Sequence, residues 1–181
     1  MGEYLSSKAL YSIIPENVPR PVAVGVLARD SSKHFLISEF VDLIEELPPV
    51  ADLAEVIARL HRDSVSPSDK FVFDVPTCQS LQLTNRWCDT WEEFFTQAFR
   101  GTVALEQQTQ GHSSELERLA EAMCKTVIPR LLGPMESEGR ALKPTLVHGD
   151  LWHGNVGINS RTGTVVLYDC CAFFGHHECE S

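Results

Sequence analysis

The chain has 181 residues, enough for one well-cored domain, and an ordinary apolar share of 43%. Its 25 acidic against 15 basic residues give a formal charge of -10, which repels a phosphate backbone and excludes a general nucleic-acid binder. No stretch approaches the roughly 18 uninterrupted apolar residues of a membrane span, and "MGEYLSSKAL" lacks the layout of a secretory signal, so the expected setting is cytoplasmic with no membrane partner. In that setting the six cysteines (Cys78, Cys88, Cys124, Cys170, Cys171, Cys179) are expected to be mostly reduced and to pack as small apolar groups.

In chain order, "YLSSKALYSII" predicts a helix over 4–14, with Leu5, Ala9 and Ile13 on one face and Pro15 as its stop. A strand near 22–28, a polar turn at Asp30 to Lys33 and a strand over 34–40 follow. Leu53, Val56, Ile57 and Leu60 repeat at the spacing of an amphipathic helix. Trp87, Trp91, Phe94, Phe95 and Phe99 do so again, as a packing stripe whose rival role is a wall for a substrate. A third helix is capped by Ser113 or Ser114 and turns Leu116, Leu119, Ala120, Met123, Val127 and Leu131 inward. Residues 136–144 read as an exposed loop. Beyond it the pattern changes to short extended runs at 145–148 and 155–158, flanking a buried hairpin, a turn ending at Gly163, and the β-branched run "TVVLYD".

The stretch "TLVHGDLWHGNVGI" concentrates the chemistry. Gly149 and Gly154 flank Asp150 and let the backbone turn sharply, so the carboxylate is presented at a strand end. Asn155 comes five residues later, and Asp169 stands at the tip of a strand fourteen residues further on. That order suits phosphoryl transfer, with the first Asp accepting a hydroxyl proton while the Asn amide oxygen and the second Asp hold Mg²⁺, a hard cation that prefers oxygen. Taken singly, each is an ordinary turn or strand-end residue; the combination carries the reading.

Other chemistries fit less well. His148, His153, Cys170, Cys171, His176, His177 and Cys179 are soft ligands, but the Cys and His pairs are adjacent, which in a strand points neighbours apart rather than around one zinc ion. No Cys stands in an activating context for nucleophilic catalysis. His61, closing an amphipathic helix, reads as a capping or core histidine.

"LVHGDLWHGN" followed by "LYDCCAFFGHHECE" resembles the catalytic and metal-binding loops of the fructosamine kinase family, which includes the protein-ribulosamine 3-kinases and belongs with the aminoglycoside phosphotransferases among kinase-like folds. "GEYLSSKAL", "VPRPVAVG", "HFLISEFVDL", "LAEVIARLH" and "NRWCDTWEEFF" are similar to that family in the family's order. The resemblance implies an α+β, protein-kinase-like fold of the aminoglycoside-phosphotransferase type. Residues 1–42 would be the remainder of a small lobe and the linker, and 43–181 a mainly helical large lobe cut short, in one kinase-like unit. It implies ATP and Mg²⁺ as cofactors, Asp150 as base, and Asn155 and Asp169 as metal ligands. Glu3 would pair with a phosphate-binding lysine, and the backbone of Ser38, Glu39, Phe40 and Val41 would face adenine. The implied substrate is a ketosamine, a ribulosamine or fructosamine adduct of a protein or small amine, phosphorylated at the sugar 3-hydroxyl and touched by Trp152, His153 and Trp87. The oligomeric state is left open.

The departures from the family pattern are also expectations. No glycine-rich phosphate loop and no partner lysine for Glu3 stand in this sequence, and the family's closing helices would come after Ser181. "FVF" places Val72 where the family usually has glycine. A chain without those parts is expected to be feebly active or inactive and prone to aggregate, the alternative role being a ligand- or partner-binding module.

Overall fold

A computed structural model describes residues 1–44, 46–77 and 86–180. Five helices and seven strands occur in the order α1 (Gly2–Ile13), β1 (Pro21–Leu27), β2 (Asp30–Ser38), β3 (Leu43–Ile44), α2 (Val50–Asp63), α3 (Trp91–Gln110), α4 (Ser114–Ala122), α5 (Ile128–Leu132), β4 (Thr145–Val147), β5 (Val156–Asn159), β6 (Val165–Leu167) and β7 (Phe173–Gly175) among the described residues. The strands form three antiparallel sheets, β1-β2, β3-β5-β6 and β4-β7.

What places the later loops is the β4-β7 ribbon. Successive strand residues point to opposite faces, and here both faces are buried. Leu146 and Phe174 join a core with Leu10, Ile14 and Leu60, whereas Val147 and Phe173 join a second core with Phe71, Trp91 and Phe94. The ribbon is therefore held from both sides, and each such buried side chain contributes roughly 1.5–3 kcal/mol.

Several expectations need correction. On α1, Ser6 and Leu10 are fully buried, Ala9 and Ile13 pack partly buried against the same core, and the Ser6 hydroxyl accepts the Ala172 N–H at 3.0 Å. The first hairpin turns at Ala28 and Arg29, not at Asp30 to Lys33, and β2 ends at Ser38. Trp87 precedes α3, whose N-cap is Thr90, its side chain accepting the Glu93 N–H at 3.1 Å. The third predicted helix is interrupted by a π-helical turn over Met123–Val127, which rotates the inward face to Cys124 and Ile128 and leaves Leu119 and Leu131 exposed. The runs 145–148 and 155–158 sit in different sheets; the hairpin is β5-β6, closed by a turn in which Gly163 has φ +72°.

Cys88, Cys124, Cys170 and Cys179 are free thiols. Cys78 lies outside the described residues. Among the described residues no helix is long and apolar enough to cross a membrane.

Candidate active site

β4 delivers the chain to His148, which is wholly buried. Gly149 then takes φ +81°, and a Cβ there would lie 2.2 Å from the Cys171 carbonyl oxygen, so no larger residue fits. The turn releases Asp150 to the surface. Asn155 stays buried under it, its Nδ2 donating to Asp150 O at 2.8 Å and Asp150 Oδ2 at 2.9 Å, with Asp169 O at 3.5 Å. That geometry uses the amide nitrogen, and no described donor reaches Asn155 Oδ1.

The segment 168–171 is laced to the same loop. Tyr168 N donates to Asn155 O (3.1 Å) and Cys171 N to His148 O (2.9 Å). His148 bridges the two: Nε2 lies 3.0 Å from the Tyr168 carbonyl and must carry the proton, while Nδ1 accepts the Asp150 N–H at 3.3 Å. Burial pushes the His148 pKa down from its ordinary 6.5, in keeping with a neutral ring whose Nδ1 is an acceptor. Asp169 has φ +55°, a left-handed conformation that Asp tolerates better than most residues.

Asp150 and Asp169 open on one cleft of about 730 Å³, lined also by Glu3, His34, Pro76, Thr77, Cys170 and Cys171. Burial first, and the Asp169 charge second, push the Glu3 pKa up. No Lys or Arg is among the described lining residues. Two exposed carboxylates and a free amide oxygen make a hard oxygen donor set, and the residues present fit a Mg²⁺-type cation. Among the described residues no His, Cys, Asp and Glu side chains gather in threes as a metal cluster.

The remaining sequence-predicted residues fall elsewhere. Ser38 closes β2, the Glu39 N–H donates to Arg20 O at 2.9 Å, and Phe40 is 87% exposed; Glu39 and Val41 line a separate cavity of about 240 Å³. Trp152, half exposed, meets the His153 ring edge-on at 4.7 Å and covers Gly154, whose Cβ would come within 2.4 Å of the indole. His153 lines a neighbouring cavity with Leu43 and Tyr168. Trp87 packs against Phe174, ring centroids 6.4 Å apart, and is not a lining residue of the Asp150 cleft.

One carboxylate escaped the sequence reading. Glu180, buried near the end of the chain, accepts the His148 N–H at 2.6 Å on Oε1 and the Gly149 N–H at 3.1 Å on Oε2. Consecutive peptide N–H groups aimed at one anion form a nest. Nothing within "HHECE" signals this, since the partners lie about thirty residues upstream.

Comparison with known proteins bears on the family and the fold. The chain is 30% identical to the chloroplastic protein-ribulosamine 3-kinase of Oryza sativa subsp. japonica, covering 99% of this chain and 50% of that one. It is 35% identical to the ketosamine-3-kinase of Mus musculus, covering 99% and 62%. The chain thus spans about half of the rice relative's length. A putative fructosamine-3-kinase from Haemophilus somnus superposes with a TM-score of 0.69 at 21% identity, over 99% of this chain and 56% of that one. A thermostable mutant of an aminoglycoside phosphotransferase superposes at 0.58 and 17%, over 99% and 60%, which shows a shared α+β, kinase-like fold. The family model described as fructosamine kinase matches residues 1–181 in full, and the chain belongs to that family.

Proposed function

We propose that this chain carries the phosphotransfer centre of a ketosamine kinase, which moves the γ-phosphoryl group of ATP to the 3-hydroxyl of a sugar bound to an amine, with Asp150 as base. The observation that supports it most is that Asp150 and Asp169 line one cleft, with the buried Asn155 donating its amide N–H to Asp150 Oδ2. Asp150 Oδ1 then takes the hydroxyl proton as the sugar oxygen bonds to the γ-phosphorus, and the bond from that phosphorus to the β–γ bridging oxygen breaks to release ADP. Asn155 Oδ1 and the Asp169 carboxylate would hold Mg²⁺, which when bound neutralises phosphate charge. The backbone of Ser38 to Val41 would face adenine, Glu3 stands where the family's lysine-pairing glutamate would be, and Trp152 and His153 border the sugar. Ribulosamine and fructosamine adducts, protein-bound or free, are the acceptor class, in keeping with the names of the rice and mouse relatives. The expected compartment is the cytoplasm; the rice relative is named as chloroplastic.

The test is Mg²⁺-dependent ADP release with a synthetic ketosamine, beside thermal stability with and without Mg²⁺-ATP. Asp150→Asn is expected to lower turnover by about 10²–10⁴-fold and to keep the ATP-induced rise in melting temperature. Unchanged turnover in that variant removes the base assignment. Binding of Mg²⁺-ATP with no turnover in the parent chain makes this a ligand-binding module instead.

A further inference from the structure

The loop that presents Asp150 is held from behind by Glu180, and Glu180 is in turn faced by a side chain from another element. His61, in the last turn of α2, places Nε2 3.4 Å from Glu180 Oε1, with side-chain exposures of 14% and 5%. A buried carboxylate needs compensation, and among the described residues no Lys or Arg forms an ion pair with Glu180. Its partners are the His148 and Gly149 peptide N–H groups and His61. The same helix end also grips β4: Ser64 Oγ donates to His61 O at 3.1 Å and accepts the Leu146 N–H at 2.9 Å, and Lys143 Nζ reaches the Arg62 carbonyl at 2.9 Å. The end of α2 therefore touches the strand before the loop directly, and the loop itself through Glu180.

We propose that His61 is a positioning residue for this loop: its Nε2–H orients the Glu180 carboxylate that receives the His148 and Gly149 N–H groups, and so sets how Asp150 is presented. Its effect on catalysis rests on the phosphotransfer reading; the coupling between α2 and the loop stands apart from it. The exposed His177 ring lies with its centroid 6.1 Å from that of His61.

Two variants of the full 181-residue chain separate a hydrogen-bonding role from simple filling. His61→Gln keeps an N–H donor and His61→Leu keeps bulk without one. Amide exchange at His148 and Gly149 is expected to quicken about tenfold in His61→Leu, as for loss of a hydrogen bond to a charged group, and to stay near the parent rate in His61→Gln. The Val156 amide serves as the reference, because general loosening would move it as well. With a ketosamine substrate, His61→Leu is expected to lose kcat with KM for ATP unchanged, and His61→Gln to restore it.

Equal exchange in the two variants overturns the proposal, as does faster exchange with undiminished kcat. If His61→Leu does not fold, Glu180→Gln replaces one accepting oxygen with a group that cannot accept, and unchanged exchange at both amides has the same force. A parent chain with no turnover counts against the phosphotransfer reading alone, and the exchange rates still decide the coupling.

Discussion

Val72 holds φ at +131° while 1% exposed, a conformation that a β-branched residue enters only under constraint. The constraint is visible: Val72 N donates to Phe174 O at 3.1 Å and Phe174 N to Val72 O at 2.8 Å, joining this segment to β7. Strain of this kind costs about 1–3 kcal/mol, and burying the side chain returns a comparable amount. Val72→Ala loses much of the burial and keeps the strain, whereas Val72→Gly loses the burial and relieves the strain. The usual order is thus expected to invert, with Val72→Ala melting below Val72→Gly. The reverse order in thermal melts would refute strain at this position. At this scale the sequence was informative where chemistry is local. The spacing of Asp150, Asn155 and Asp169 and the foreign valine in "FVF" could be read directly, because short loops fix their own neighbours. Glu180 and His61 could not, since their contact depends on how α2 packs beside the last turn of the chain.

Elements were legible wherever one periodicity ran unbroken, as in α2, whose Val56 and Leu60 are buried as their spacing predicts. The aromatic stripe was overextended because Trp87 happens to fall four residues before Trp91, while the backbone obeys the cap at Thr90. The Thr90 hydroxyl accepts the Glu93 N–H, and the Glu93 carboxylate lies 3.4 Å from the Asp89 N–H. Thr90→Ala is expected to cost about 1 kcal/mol and to lower the melting temperature by roughly 2–4 °C in a domain of this size. A melt identical to the parent would show that the tie from Trp91 N to Glu136 at 2.7 Å already suffices to start α3. The π-helical turn over Met123–Val127 defeats periodicity for a different reason: one extra residue in a turn shifts every later position round the axis.

Over the whole molecule, acidification sets two effects against each other. Protonating histidines reduces a formal charge of -10, which eases self-repulsion and favours the compact state. His148 and His176 oppose this, because burial depresses both pKa values below the ordinary 6.5. A depressed basic group binds more protons when unfolded, so its penalty grows as pH falls below about 6.5 and levels off beneath the folded pKa. Stability to urea is therefore expected to fall between pH 7 and pH 5.5, and His148→Gln to show a shallower fall. A parent chain that gains stability over that interval would mean that charge relief dominates.

The absence of room for a methyl group between Gly149 and the Cys171 carbonyl has a mechanical meaning. Two loops in such contact cannot slide past one another, so the carboxylate at 150 and the left-handed carboxylate at 169 travel as a single solid part. His34, which lines the same cleft, is carried separately by the two-stranded β1-β2 sheet.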